Sequence, residues 1–340
     1  MKEINKPKDI GELLDGCPKN QIIGDNLVRA WSKINSSKYE KIVCSISGGS
    51  DSDVMLDIIH QCDKDGKVEY VWFDTGLEYQ ATKDHLKYLE EKYGIEIRPY
   101  RAIKPIPISC KTYGQPFISK NVSQNLQSLQ RHGFKFEDKP YEELCEEYPK
   151  VKSKLKWWCN MYDCSAFNIC NNKWLKEFLI ENPPTFKISH NCCKYAKKDV
   201  VHNLIKEYEY DLNISGVRSA EGGARKNIYK SCFDENGDGY DNYRPLFWYK
   251  DSDKQEYDEH YSIEHSKCYT EYGLKRTGCA GCPFGRDFEQ ELEVIEKYEP
   301  KLFKAVNNIF GDSYELTRKY REFYKKKNEE EKLVKERSKK

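Results

Sequence analysis

The sequence predicts an α/β protein: a parallel sheet with helices on both faces, a helical insertion and a C-terminal helical region. Three observations carry that expectation. Short β-prone runs at 41–46 (KIVCSI), 68–74 (VEYVWFD) and 95–100 (IEIRPY) recur along the first hundred residues. The segments between them place apolar residues at helical spacing. The resulting β-α-β-α-β order favours parallel strands joined by helical crossovers.

Each element has its own signal. Residues 25–34 (DNLVRAWSKI) suit an amphipathic helix with Asp25 near its start. The mostly apolar run 41–46 reads as a buried strand, and 51–62 (DSDVMLDIIHQC) as a helix opened by Asp and Ser. A second strand at 68–74, a helix over 78–93 and a third strand at 95–100 complete the first half. The rhythm then breaks. Pro105, Pro107, Gly114, Pro116, Pro140 and Pro149, with Lys150, Lys152, Lys154 and Lys156, mark a basic, aromatic insertion over 101–171. The pattern resumes with a helix at 172–181, a strand at 186–190 (FKISH), a helix at 196–209 and a strand at 211–217 (DLNISGV). The predicted division is therefore a core of 20–100 with 172–217, the insertion, an Arg- and Cys-rich segment 218–286, and helices with a charged tail over 287–340.

Composition bounds the function. Charged residues make up 33% and hydrophobic ones 38% of the 340 residues, against about 25% and about 45–50% in ordinary domains. An aromatic content of 13% argues against disorder and for a core that leans on Tyr, Phe and Trp. A net charge of +1 excludes a global nucleic-acid-binding charge but leaves room for local basic patches. No stretch approaches the roughly 18 apolar residues of a membrane span, and the opening MKEINKPKDIGELLDG has no apolar core of a secretory signal. With 14 cysteines, this predicts a reducing, cytoplasmic setting in which clustered thiols serve metal or redox chemistry.

The segment Ser47-Gly48-Gly49-Ser50-Asp51-Ser52 lies where a predicted strand ends, just after Ser45, and a predicted helix begins. Two glycines let the backbone approach an anion, and the N–H groups of the first helical turn stabilise phosphate oxygens. Ser47 and Ser52 add hydroxyls, and Asp51 makes sense as a ligand of Mg²⁺. Two glycines alone would fit any tight strand-to-helix turn; the strand, the loop and the amphipathic helix together point to phosphate. Asp74-Thr75-Gly76 closes the next strand, where open α/β sheets bind ligands. Taken alone it would be an ordinary turn.

Cys192 and Cys193 are adjacent, and Cys279 and Cys282 form a CxxC in GCAGCPFG. Two such pairs could hold a structural zinc. Neighbouring side chains crowd a single tetrahedral ion, whereas a cubane offers each a separate iron, so the pattern favours a [4Fe–4S] cluster.

The SGGSDS loop and the Asp74-Thr75-Gly76 turn resemble the corresponding segments of the ATP-pyrophosphatase and phosphoadenosine phosphosulfate (PAPS) reductase superfamily. CCKYAKK followed by CAGCP is similar to the cluster signature of adenylyl-sulfate reductases. Ser215-Gly216-Val217-Arg218 with Glu221 and Arg225, and Arg244-Pro245-Leu246 with Trp248, look like further segments of that family. The resemblance covers about 24–100 and 185–290 and is strongest to PAPS-reductase-domain proteins of phages and anaerobes, and to the sulfurtransferase of DNA phosphorothioation. It implies a Rossmann-like fold of the adenine nucleotide alpha hydrolase type, an adenine nucleotide as ligand, and nucleotide contacts from Ser45, the 47–52 loop, Asp74, Thr75, Gly76, Arg218, Arg225 and Arg276. It also implies a cluster on the four cysteines.

Two departures shape the functional expectation. Residues 283–340 contain no cysteine, whereas assimilatory reductases of the family use a thiol near the C-terminus as nucleophile. The loop is an intact SGGxDS, the form that looks like ATP-cleaving relatives, with Ser50 where Lys is frequent. The leading expectation is an enzyme that cleaves Mg²⁺-ATP to AMP and pyrophosphate, adenylating an acceptor for sulfur transfer, with Asp51 and Arg218 as the catalytic pair. Reduction of PAPS or adenylyl sulfate is the alternative oxidoreductase reading, and a non-catalytic nucleotide or redox sensor the reading of another class. A sulfur donor is implied, no membrane partner is expected, and the acceptor is open, nucleic acid included.

Other residues carry weaker signals. Cys159, Cys164 and Cys170 in WWCNMYDCSAFNIC could bind a second metal or carry a persulfide, with buried structural thiols the favoured reading, and Cys110 and Cys232 in loop-like segments are weaker candidates for a single reactive thiol. His190 reads as a packed histidine. KVKSKLKWW (150–158) suits either a nucleic-acid contact or a helix with an aromatic inner face.

Overall fold

The computed structural model describes residues 6–221, 229–235 and 239–338. The chain forms two compact units: Met1–Pro105 with Ala196–Ala280, and Ile106–Tyr195 with Gly281–Lys340. In this partition 172–195 goes with the insertion and 218–280 with the sheet.

The first unit is the α/β part. Its strands are β1 (Ile42–Ser45), β2 (Val68–Asp74), β3 (Ile97–Arg101), β4 (Leu212–Ser215), β5 (Phe233–Asp234) and β6 (Asp241–Tyr243). They form one six-stranded sheet of order β3-β2-β1-β4-β6-β5. All neighbours run parallel except β5 and β6. β1 is central, with Ile42 facing Val68 on one side and Leu212 on the other. Its side chains divide between two cores, as strand alternation demands. Ile42 and Cys44 pack with the helices Gln21–Ile34 and Ser50–Cys62, whereas Val43 packs with Leu204 and Ile205 of the helix Asp199–Tyr208. Burial on both faces is why this run reads as apolar rather than alternating.

The helix starts follow local chemistry. The Asn20 side chain accepts from the N–H groups of Ile22 and Ile23 and so begins Gln21–Ile34. Gly94, at φ 64°, ends the helix Gln80–Tyr93 in the left-handed conformation that glycine tolerates best.

The second unit is helical. Phe117, Val122, Leu126, Trp157, Trp158 and Phe178 share one core with Leu316 of the long helix Pro300–Arg337. Trp157 and Trp158 are therefore the inner face of the helix Lys152–Trp158 and cannot stack on bases. The Trp158 indole N–H donates to the Glu137 carbonyl at 2.9 Å, which satisfies its one buried donor.

The expected strand at 186–190 is a single bridge, Ile188 to Gln115. Its apolar alternation is met by burial of Ile188 in the helical core, so no further ladder is needed. Cys110 lies in the helix Ile106–Tyr113 rather than in a loop, and is buried. Cys164 and Cys170 are exposed and Cys159 half-buried, contrary to the reading of all three as buried thiols.

The bridge imposes a tight approach. Gly114 has φ 116°, and a Cβ there would lie 2.1 Å from the Lys187 carbonyl oxygen. Gly114→Ala is expected to destabilise the protein by about 1–3 kcal/mol or more. A urea unfolding curve with an unchanged midpoint would refute this.

Candidate functional site

The strand order reverses between β1 and β4, the switch point at which open α/β sheets bind ligands. A cleft of about 420 Å³ opens there. The segment after β1 contributes Ser45, Ser47, Gly49, Ser50, Asp51 and Ser52, and the segment after β4 contributes Gly216, Val217 and Arg218. Later segments of the first unit add Asp251 at a helix start, Tyr269 in the short helix Lys267–Thr270, and Lys275, Arg276 and Thr277 from the stretch after it.

The loop 47–52 is shaped by its own hydrogen bonds. The Ser47 N–H donates to Ser52 Oγ at 2.9 Å, and the N–H groups of Ser52 and Asp53 donate to the Gly49 carbonyl at 2.7 and 3.1 Å. Gly48 adopts φ 66°, and a Cβ there would fall 2.8 Å from Thr82 Cγ2. Gly49 caps the helix Ser50–Cys62 without a side chain of its own. The first-turn N–H groups of a helix lack intrahelical acceptors, and the helix dipole adds positive potential. An oxyanion fits that position.

The electrostatics of the cleft centre on Arg218. Its Nε lies 3.0 Å from Asp51 Oδ1 and its Nη1 2.8 Å from Asp251 Oδ1. Burial works against the guanidinium's charge, but the two carboxylates outweigh it and raise its pKa. Arg276 pairs with Glu221 at 3.3 Å. Arg225 lies outside the described residues. Asp74, Thr75 and Gly76 do not line this cleft. Their turn closes on itself: the Thr75 N–H donates to Glu78 Oε1, and the Gly76 N–H to Asp74 Oδ1, both at 2.9 Å.

Behind the loop stands a charge buried from solvent. Asp53 is fully buried and accepts from His85 Nε2 at 3.0 Å and His265 Nδ1 at 2.8 Å. The other nitrogen of His265 faces Asp258 at 3.1 Å, with Lys254 also beside it. This network joins the helix Ser50–Cys62 to the helix Gln80–Tyr93 and to the 265–270 segment. Ser266 Oγ donates to the Ala81 carbonyl, and the Tyr269 hydroxyl bonds Thr277 Oγ1 at 2.8 Å. Tyr269 and Thr277 thus meet the loop at Gly49, where a Cβ would be 3.2 Å from either hydroxyl. Asp251, Tyr269, Lys275 and Thr277 carry no motif that marks them in the sequence. The pointer to the last two was their place just before GCAGC, the same cue that marked Arg276.

Cys279 belongs to this unit, where Thr75 Oγ1 lies 3.8 Å from its sulfur and the Ala280 N–H donates to the Leu77 carbonyl. Cys192, Cys193 and Cys282 belong to the other unit. There Cys192 is buried beside Cys110. Its contact with Cys110, opposed by one with Cys193 and reinforced by burial, pushes the Cys192 thiol up. Among the described residues, no group of three or more His, Cys, Asp or Glu side chains is arranged to hold a metal ion. His190 Nδ1 pairs with Gln127 Oε1 at 3.1 Å.

The Asp53 network has a pH signature. Burial disfavours a charged His265, but hydrogen bonds from Asp258 and Asp53 outweigh it and raise its pKa from 6.5 to about 9. The stability this adds is full below the unfolded value and is lost as pH rises through the folded one. The melting temperature is therefore expected to fall between about pH 6.5 and about pH 9. His265→Gln should flatten that slope, and an identical slope in the variant would refute the assignment.

Among known proteins, the model of the phosphoadenosine phosphosulfate reductase domain matches residues 41–156. No curated protein matches the chain. Among solved structures, it is similar to a phosphoadenylyl-sulfate reductase from Candida auris in a phosphate complex. That match has 13% identity, covers 82% of this chain and 98% of that one, and has a TM-score of 0.39. It is also similar to the U34-tRNA thiolase NcsA from Methanococcus maripaludis with its [4Fe-4S] cluster (15% identity, 89% and 78% covered, TM-score 0.37). A third is the FMN adenylyltransferase of Candida glabrata with FAD and inorganic pyrophosphate (10% identity, 84% and 79% covered, TM-score 0.42). Among the described residues, no helix is long and apolar enough to cross a membrane. The likeness to the phosphoadenosine phosphosulfate reductase domain thus lies in residues 41–156, which include β1, the 47–52 loop, β2 and β3.

Proposed function

We propose that the protein is an ATP-cleaving enzyme of sulfur transfer. It binds an adenine nucleotide in the cleft between β1 and β4 and splits ATP into AMP and pyrophosphate. One observation carries the reading: an intact SGGSDS loop at a helix N-terminus lines the same cleft as Arg218.

In this reading the triphosphate lies on the loop, with its outer phosphates at the first-turn N–H groups of the helix Ser50–Cys62. Ser47 and Ser52 hold the loop's shape through the bond between them. Arg218 exchanges a carboxylate for a phosphate oxygen and stabilises charge as the bond breaks. Asp51, released from Arg218, is the residue that would hold Mg²⁺, which when bound supplies charge neutralisation on the phosphates. An acceptor oxygen attacks the α-phosphorus, the bond to the bridging oxygen breaks, and pyrophosphate leaves with its electron pair. A sulfur nucleophile then displaces AMP from the adenylated acceptor. The four-cysteine pattern alone supports a [4Fe–4S] centre on Cys192, Cys193, Cys279 and Cys282. Anaerobically purified protein is then expected to carry about four irons and four sulfides per chain, and Cys279→Ser to lose them; iron-free protein with bound zinc would overturn that part.

The family match over 41–156 favours a second reading, reduction of PAPS or adenylyl sulfate. Pyrophosphate release from ATP supports the first; sulfite release with a thiol donor supports the second. Asp51→Ala is expected to lower pyrophosphate release about a hundredfold or more while leaving the circular dichroism unchanged. Full retained turnover would remove Asp51 from the mechanism.

A further inference from the structure

We propose that Lys275 is the cation that binds the outer phosphates of the nucleotide, filling the role for which the loop itself has no positive side chain. The inference rests on the reading of the cleft as a triphosphate site.

The argument is one of charge. A nucleoside triphosphate brings about four negative charges into the cleft, and the SGGSDS loop offers only N–H groups, hydroxyls and a carboxylate. Three cationic side chains line the cleft among the described residues: Arg218, Lys275 and Arg276. Two already carry carboxylate partners, and in the proposed mechanism Arg218 turns to the phosphate at the breaking bond. Arg218 is held between Asp51 and Asp251, and Arg276 pairs with Glu221. Lys275 has no carboxylate partner among the described residues and is exposed at the cleft wall.

Its position follows from its neighbours. Thr277, two residues on, stands with Tyr269 against Gly49, so the 275–277 segment meets the phosphate loop at the residue that begins the helix Ser50–Cys62. Ser50 lines the same cleft one residue later. A cation on either chain segment can thus serve one anion, and a lysine placed at 50 should replace one lost at 275. The aliphatic stem of Lys275 is long enough to follow a phosphate without a fixed geometry, which suits the terminal end of a flexible triphosphate.

The test is calorimetric titration of the full chain, purified anaerobically, with Mg²⁺ and the α,β-methylene analogue of ATP, and separately with AMP. Lys275→Gln is expected to weaken the ATP analogue about tenfold or more and to leave AMP within about twofold. The difference should shrink as salt is raised. Ser50→Lys added to Lys275→Gln should restore most of the affinity, and Lys275→Arg should retain it. Equal affinity of wild type and Lys275→Gln for the ATP analogue would overturn the inference while leaving the nucleotide reading intact. So would an equal loss for AMP, or a lowered melting temperature of Lys275→Gln, since either marks a structural role. A wild-type protein that binds neither ligand would overturn the reading of the cleft itself.

Discussion

A carboxylate removed from water must be paired, and the pairing of Asp53 governs how the cleft is built. It sits in the first turn of the helix that carries the phosphate loop, fully buried, with a histidine on each oxygen. Its desolvation would drive it neutral, but the two histidines hold its pKa below the ordinary carboxylate range. One histidine comes from the helix Gln80–Tyr93 and the other from just before the Lys267–Thr270 turn. Three stretches of chain distant in sequence are thereby fixed around one charge. Gly48 against Thr82, and Gly49 against Tyr269 and Thr277, are close contacts that such fixing permits.

How much of this could be read in the sequence depends on the range of the interactions involved. β1, β2 and β3 and the helices between them follow from local periodicity, because each strand's neighbours and its burial are set by the same short run. The turn 47–49 was legible for the same reason: strand, turn and helix start are contiguous. Phe186–His190 carried a strand-like alternation that the helical core of the second unit satisfied instead. The double tryptophan at 157–158 was open between surface and interior until its packing partners were known.

The far wall of the cleft was hardest to read. Asp251, Tyr269, Lys275 and Thr277 reach the loop by tertiary packing, from a region that reads as loop-rich and offers no periodicity. The histidine pair on Asp53 is a contact across 212 positions for His265 and 32 for His85, and nothing local announces it. The cysteines illustrate the converse. Their spacing is conspicuous in sequence, yet Cys279 folds with the sheet unit while Cys192, Cys193 and Cys282 fold with the helical one.

The ion pairs at Arg218 have a consequence for how ligand enters. Asp51 and Asp251 occupy the guanidinium before any phosphate arrives. Binding there is a substitution at an already neutralised cation, so the desolvation of Arg218 is largely completed during folding. The incoming anion has only to out-compete two carboxylates, one of them almost wholly exposed to solvent. On the proposed reading the displaced carboxylate is then free for a divalent cation, which would join anion capture and cation recruitment in a single coupled equilibrium at this residue.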